Sequence, residues 1–274
     1  MQLYSQFKRH FRRRLPERVR PDNYVIVQMP RLERPLRENR GVMIDPSAAR
    51  TFWKALMDNA SALISDAHAL LELGSFGRAR SLTVLAQEEL GKALWIYESF
   101  EQSWSTGSEK AREVPRLSAD GRRHTVKYME AFVFGQELAA FWGDYNSYEF
   151  PKDQSQEGWK AHFATKRREA EAAGKRANNE KMAGFYVDMD RPGDTVLSPA
   201  DVSSGTIAED LQTAAKVVEM LLIKDHSRMK LEATTPYDST HELQHRLLPI
   251  SHPEDWAAAS QEFKDGNYLK GSAD

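Results

Sequence analysis

The chain of 274 residues is 41% hydrophobic and 28% charged, an ordinary composition for a globular protein with a sizeable core. It contains no cysteine, which excludes disulfide bridges, thiolate metal ligands and cysteine nucleophiles, and fits a reducing compartment. No apolar run is long enough to span a bilayer, and the basic N-terminus lacks the apolar core of a secretory signal. We therefore expect a cytoplasmic protein without a membrane span.

Residues 1–40 form a basic segment, with eleven Lys or Arg against four Asp or Glu, whereas the whole chain carries a net charge of −2. Four prolines interrupt it, so residues 1–45 are predicted to be an irregular extension in which only Tyr24–Val27 suits a short strand. Such an arm can bind RNA, a ribosome or an anionic membrane. It can equally contact the acidic body of its own or a neighbouring chain, and the sequence leaves both readings open.

Two helices that form an antiparallel hairpin are the clearest structural prediction. Asp45 suits an N-cap, Pro46 suits the first helical position, and Gly74 suits a C-terminal stop. The first helix has apolar and small residues at helical spacing, namely Phe52, Leu56, Asn59, Leu63, Ala67 and Leu70. The second, from about Phe76 to Phe100, has the stripe Phe76, Ala79, Leu82, Ala86, Leu90, Ala93, Tyr97 and Phe100.

The rest of the chain alternates between helical and irregular segments. A third helix is predicted from near Asp120, a charged helical stretch over 159–181, and a last amphipathic helix from Thr206, where Thr-x-x-Glu forms a capping box. Residues 103–115 and 143–160 are predicted loops. The chain thus divides into a basic extension (1–45), a helical bundle (46–230) and a polar tail (231–274).

The end of the second helix carries an unusual group of residues. Glu89 lies on the apolar stripe, where a buried carboxylate needs a partner, while Glu88 and Lys92 lie four residues apart on an adjoining face. Gly91 lies inside the helix at a cost of about 1 kcal/mol relative to alanine, which indicates that another element packs unusually close. The alternative is a surface Glu88–Lys92 pair with Glu89 at the rim of the core.

A hairpin whose second helix ends in Glu-Glu-Leu-Gly-Lys-Ala (88–93) resembles the AbiV family of abortive infection proteins. Three further features follow in the same order as in that family. They are an H-x-x-K pair (His124 and Lys127), Lys181 before Phe-Tyr-Val-Asp at 185–188, and an amphipathic helix after a proline-containing loop. The resemblance covers roughly residues 50–230.

The resemblance implies an all-α fold, a HEPN-like up-and-down antiparallel helical bundle with irregular N- and C-terminal extensions, and a homodimer. Many HEPN proteins are metal-independent endoribonucleases. Their usual signature is an arginine followed four to six residues later by a histidine, at a site formed where two protomers meet. Histidine can move the proton of the RNA 2′-hydroxyl, and arginine can stabilise charge on the phosphate. We therefore expect neither a metal nor a cofactor.

The catalytic signature is absent from the predicted bundle, because only Arg246 and His252 in the tail have the required spacing. His124, Lys127 and Tyr186 are better placed as catalytic candidates within the matched region. A polar cluster completes the set of candidate residues, namely Glu88, Glu89, Lys92, Lys181 and Asp188. The alternative reading is a buried network that fixes helix register and has no catalytic role.

Two functions remain open at this stage. The first is a phage-defence effector that acts on RNA or the translation machinery, as a metal-independent endoribonuclease if it is an enzyme, with a phage-encoded activator as its trigger. The second is a non-catalytic HEPN-like protein that recognises a phage or host protein. Family resemblance and the basic arm favour the first, and the missing arginine–histidine signature favours the second.

Overall fold

The computed structural model describes residues 43–141, 151–153, 155–190, 195–232 and 239–264. The predicted strand at 24–27 and residues 143–150 of the predicted loop at 143–160 lie outside these ranges. The end of that predicted loop, from Gln156 onwards, is helical. The described residues form eight α-helices: α1 (Pro46–Glu72), α2 (Phe76–Thr106), α3 (Pro115–Asp120), α4 (His124–Phe141), α5 (Gln156–Phe185), α6 (Ile207–Glu232), α7 (Leu243–Ser251) and α8 (Pro253–Lys264). The expected all-α helical bundle is confirmed.

Two short antiparallel ladders accompany the helices. β1 (Met43–Ile44) pairs with β2 (Arg112–Glu113), and β3 (Asp188–Asp190) pairs with β4 (Thr195–Leu197). A 3-10 turn follows β4, and a second one precedes α7. None of the helices in these ranges is long and apolar enough to cross a bilayer.

The predicted hairpin of α1 and α2 is confirmed, together with its punctuation. The Asp45 side chain accepts a hydrogen bond from the Ala48 amide at 2.8 Å, and Pro46 begins the helix. Gly74 has φ +72°, a left-handed conformation that suits glycine and reverses the chain. The hairpin buries large side chains from both helices, including Trp53, Met57, Ile64, Leu90, Ile96, Tyr97 and Phe100.

α2 is longer than the sequence analysis predicts and continues to Thr106. The Trp104 ring stacks against Phe100 with centroids 6.1 Å apart, and its Nε1 donates a hydrogen bond to the Pro46 carbonyl at 2.8 Å. Burial of this side chain stabilises the extra turn, and the helix ends at Gly107, where φ is +68°. The first residues of the predicted loop at 103–115 are therefore helical.

α6 packs against both helices of the hairpin. Its buried side chains follow the predicted amphipathic stripe and include Ile207, Leu211, Ala214, Ala215, Val218, Leu221 and Leu222.

The segment described as a polar tail contains α7 and α8. α7 packs against α6 and α1 through Leu243, Leu247 and Ile250, which recur at helical spacing and are buried. His245 and Arg246 lie between these positions, so the apolar stripe is difficult to recognise in the sequence. Residues 233–238 and 265–274 lie outside the described ranges.

The internal contacts divide the chain into two compact units. Among the described residues, the first comprises 139–141, 151–153 and 155–165, and the second comprises 43–138, 166–190, 195–232 and 239–264. Within the first unit, Trp159 and Phe163 form a ring contact, and a depression of about 520 Å³ is lined by residues of 151–165. None of the sequence-predicted site residues lines this depression. The second unit contains the hairpin and all the residues of the candidate site.

Candidate active site around Glu88

Close helix contacts bring three helices together around Glu88 on α2. A Cβ atom added to Gly91 would lie 1.9 Å from the carbonyl oxygen of Lys127 on α4, so only glycine permits this approach. The Ser81 hydroxyl on α2 donates a hydrogen bond to the Lys181 carbonyl on α5 at 2.8 Å. The close approach predicted at Gly91 is confirmed, and the packing of α4 and α5 brings both Lys127 and Lys181 to Glu88.

Glu88 accepts from groups on both neighbouring helices. Its Oε1 lies 2.5 Å from Lys181 Nζ, and its Oε2 lies 2.6 Å from His124 Nδ1 and 3.5 Å from Lys127 Nζ. The Glu88 side chain is 3% exposed and each lysine side chain is 7% exposed, whereas His124 is 54% exposed. We call these four residues the Glu88 cluster; only its histidine reaches the surface to a large extent.

The electrostatic environment keeps Glu88 ionised. Burial by itself raises the pKa of the Glu88 carboxyl, but hydrogen bonds from His124 and Lys181, and their positive charges, together lower that pKa below its ordinary value. Because an ionised carboxylate only accepts hydrogen bonds, the Nδ1–H of His124 is the donor in their contact. Glu88 therefore fixes both the tautomer and the orientation of the imidazole.

The opposite edge of the imidazole is available for chemistry. No residue in the described ranges makes a hydrogen bond to Nε2 of His124, and the ring lies at the surface. A histidine held at Nδ1 by a carboxylate, with Nε2 free, is the arrangement used for proton transfer in many enzymes. The Lys127 ammonium contacts the same carboxylate oxygen, so a positive charge lies beside the ring.

Glu89, which the sequence analysis places on the core stripe, is not the central carboxylate. Its Oε1 lies 2.7 Å from Lys92 Nζ, and both side chains are about one-fifth exposed. Glu89 therefore lies at the rim of the core, as the alternative reading predicts, whereas the pairing of Lys92 with Glu88 in that reading is wrong. The assignment fails because α2 is covered by several helices, so one apolar stripe does not mark all of its buried positions.

Tyr186 and Asp188 do not join the cluster. Tyr186 is exposed and makes a ring contact with its neighbour Phe185. The Asp188 side chain accepts a hydrogen bond from the amide of the next residue, Met189, at 2.8 Å. Both residues lie beyond the C-terminal end of α5, past Lys181, which does reach Glu88.

Arg246 and His252 lie elsewhere in the second unit. Arg246 is exposed on α7, whereas His252 directly follows that helix and its Nε2 lies 2.7 Å from Glu219 Oε2 on α6. The same Glu219 accepts a hydrogen bond from Gln244 at 3.2 Å. These contacts fasten α7 to α6, and they give His252 a structural partner outside the Glu88 cluster.

A second buried carboxylate escaped the sequence analysis. Asp225 on α6 is fully buried, and its two oxygens accept hydrogen bonds from Arg50 at 3.0 and 2.8 Å. Arg228 donates to Oδ1 of Asp225 through Nε at 3.1 Å and Nη2 at 2.7 Å. We call these three residues the Asp225 cluster. The only local signal was the spacing of Asp225 and Arg228, since Arg50 is 175 positions away.

Arg80 forms a further polar contact between helices. Its guanidinium pairs with Asp210 at the start of α6 and lies 3.5 Å from Glu180 on α5.

Tyr128 on α4 is a buried titratable group in the same bundle. Burial, with the nearby charge of Asp210, raises the pKa of Tyr128 to about 12. Tyr128 therefore stays protonated at neutral pH and is not a ready general base.

Comparison with known families agrees with the features around Glu88. The family model HEPN_AbiV, described as AbiV, matches residues 48–219, more than half of the chain and all four members of the Glu88 cluster. No curated protein and no solved structure matches the chain at a significant level. The family match supports a role in abortive infection, the suicide-type defence against phage. The chain belongs to the AbiV family of the HEPN superfamily.

Proposed function

We propose that this AbiV protein is a cytoplasmic phage-defence effector that cleaves RNA without a metal ion, with His124 as its acid/base group. The observation that carries the proposal is the half-exposed imidazole, held at Nδ1 by buried Glu88 and without a partner at Nε2 among the residues that the structure describes. We expect it to act as a homodimer on cellular RNA or on RNA of the translation machinery, with a phage-encoded component as trigger.

The chemistry requires one proton to leave the 2′-hydroxyl of RNA. His124 Nε2 would take that proton while the 2′-oxygen bonds to the adjacent phosphorus and the bond from phosphorus to the 5′-oxygen breaks. Water supplies the proton for the departing 5′-oxygen, and the imidazolium then returns its proton to the hydroxide that remains. Glu88 stabilises the imidazolium that forms, as a carboxylate does for an acid/base histidine. The products would carry a 2′,3′-cyclic phosphate and a 5′-hydroxyl.

The test uses purified protein, a 5′-labelled single-stranded RNA and EDTA. Wild type is expected to yield fragments with 2′,3′-cyclic phosphate ends, and His124→Ala is expected to cleave about 10²–10⁴ times more slowly. His245→Ala is the matched control, because His245 is exposed on α7. Cleavage by His124→Ala at the wild-type rate would remove His124 from the reaction, and a wild type that leaves RNA intact would contradict the ribonuclease activity.

The second candidate function, recognition of a phage or host protein, is favoured by a different part of the surface. Residues 182–197 carry seven large hydrophobic side chains that are 39–67% exposed: Met182, Phe185, Tyr186, Val187, Met189, Val196 and Leu197. Concentrated exposed apolar side chains commonly mark protein-binding sites. Met189 and Val196 are register partners in the β3–β4 ladder and so lie on one face of it.

A double variant, Met189→Asp with Val196→Asp, separates the two candidates. If protein recognition is the whole function, this variant loses phage protection while His124→Ala keeps it. The ribonuclease proposal expects His124→Ala to lose protection. Circular dichroism and thermal melting of both variants exclude unfolding as the cause of any loss.

A further inference from the structure

The Glu88 cluster contains more positive than negative groups. One carboxylate faces two lysine side chains that are each 93% buried, as well as the ring of His124. Burying a charge without a compensating partner is costly, and one carboxylate neutralises only one of the two ammonium groups. The charges of Glu88, Lys127 and Lys181 therefore sum to one uncompensated positive charge.

The two lysines differ in how well they are satisfied. Lys181 Nζ donates to Glu88 Oε1 at 2.5 Å. Lys127 Nζ lies 3.5 Å from Oε2, an oxygen that already accepts from His124 at 2.6 Å. Within the described ranges, no residue accepts a hydrogen bond from Lys127, although an ammonium carries three donors. The missing negative charge therefore belongs next to Lys127.

The start of α4 adds further attraction for an anion on the same side. His124 is the first residue of this 18-residue helix, whose N-terminal end carries a partial positive charge. Arg122 precedes it, is exposed, and has no ion pair with any residue that the structure describes. Arg123 pairs with Asp120 at 2.8 Å and so contributes less. The approach to His124 is thus positive both at the surface and beneath it.

The geometry points to a phosphate group as the missing partner, bound by Lys127 Nζ beside the ring of His124. A phosphodiester carries its charge on two oxygens, so one oxygen can accept from the lysine while the Nε2 lone pair of His124 remains available for the proton of the 2′-hydroxyl. In RNA the next phosphate along the strand can then meet Arg122. This inference rests on the proposed function for its choice of RNA as the source of the phosphate, and it makes Lys127 a substrate-contacting residue.

Binding is measured with a probe that cannot be cleaved, a fluorescent single-stranded RNA whose 2′-hydroxyls are all methylated. Lys127→Gln is expected to weaken binding about tenfold or more, while Lys127→Arg keeps it within a few-fold of wild type. The slope of log Kd against log salt concentration should be smaller for Lys127→Gln than for wild type, by the amount that one phosphate contact contributes. Lys92→Gln is the control, because Lys92 pairs with Glu89 at 2.7 Å and lies outside the Glu88 cluster.

A second measurement keeps the inference testable if Lys127→Gln does not fold. Inorganic phosphate should shift the NMR signal of the His124 ring in wild type, whereas chloride at equal ionic strength should not, with His124→Gln used to assign the signal. The inference would be overturned if phosphate left the chemical shift of the His124 ring unchanged, or if folded Lys127→Gln bound RNA as tightly as wild type. Phosphate and RNA binding without any cleavage would support the anion site and contradict the ribonuclease, so the two proposals fail separately.

Discussion

Two buried carboxylates, each with two cationic side chains, lie in the same helical bundle and differ in how completely they are enclosed. Asp225 is fully buried between Arg50 and Arg228, whose side chains are 12% and 4% exposed. The Arg50 guanidinium also lies 4.6 Å from the ring centroid of Trp53 and 5.2 Å from that of Trp104. Glu88 has two lysines instead, together with a histidine that is 54% exposed.

The difference follows from the chemistry of the cations. A guanidinium is planar, and that of Arg50 binds both oxygens of Asp225 while it lies over the rings of Trp53 and Trp104. An ammonium is a compact charge that leaves donors over, and His124 provides a path to solvent. We therefore interpret the Asp225 cluster as a structural contact that joins α6 to α1, and the Glu88 cluster as a functional site.

The largest effect on stability is expected from Asp225→Ala. Its removal leaves two buried guanidinium groups without their carboxylate, which should lower the free energy of unfolding by about 3–5 kcal/mol. Urea denaturation followed by circular dichroism measures this change. Asp58→Ala on the exposed face of α1 is the control and should stay within about 0.5 kcal/mol of wild type. A loss for Asp225→Ala no larger than that of the control would contradict the scaffold role.

Glu88→Ala should cost less, about 2–3 kcal/mol, because water can reach the open side of its cluster and solvate the groups left behind. The adjacent Glu89→Ala should cost less, about 0.5–1 kcal/mol, since Glu89 and Lys92 are each about one-fifth exposed and water can solvate the lysine that remains. Parallel urea titrations of the two variants compare neighbouring carboxylates on one helix. Equal losses would show that Glu88 is not the buried partner.

The next largest loss of stability is expected from a substitution at Gly91, where α2 and α4 are in close contact. Gly91→Ala would force the new methyl group against the Lys127 backbone, so α2 and α4 must separate, at a cost of about 1–3 kcal/mol despite the better helix propensity of alanine. The separation should also displace Lys127 from Glu88. Lys92→Ala at the next position serves as the control in thermal melting. A stabilised Gly91→Ala would mean that the helices do not meet at this point.

The pH dependence of stability sharpens the comparison further. The pKa of Glu88 is lowered on folding, so its ionised form contributes stability at pH values above the ordinary carboxyl pKa of 4.5. That contribution is lost as pH falls through the lower value of the folded state. The difference in unfolding free energy between wild type and Glu88→Gln should therefore shrink as the pH falls below about 5. A difference that grows on acidification would reverse the assigned shift.

Local signals in the sequence account for much of the fold. Asp45, Pro46 and Gly74 mark helix ends through their own backbone chemistry, and Gly91 reveals a close contact because it is unfavourable in a helix otherwise. The same reasoning identified a helix hairpin with a polar group near its end. Features of this kind depend on neighbours within a turn or two.

The partners of the buried charges could not be predicted, because they depend on tertiary packing. Nothing local distinguishes Glu88 from Glu89, and the choice between them is made by the approach of α4 and α5. Arg50 and Asp225 meet across most of the chain length. His252 has the right spacing from Arg246 for a catalytic signature, yet its contact with Glu219 is a packing contact.

Phage plaquing on cells that express wild type, His124→Ala or His245→Ala at equal soluble levels tests the role of His124 most directly. If the Glu88 cluster is a catalytic site, wild type and His245→Ala reduce plaquing and fragment RNA during infection, and His124→Ala does neither. Equal protection by His124→Ala, with RNA intact in all three strains, would contradict a catalytic His124 and leave protein recognition as the function.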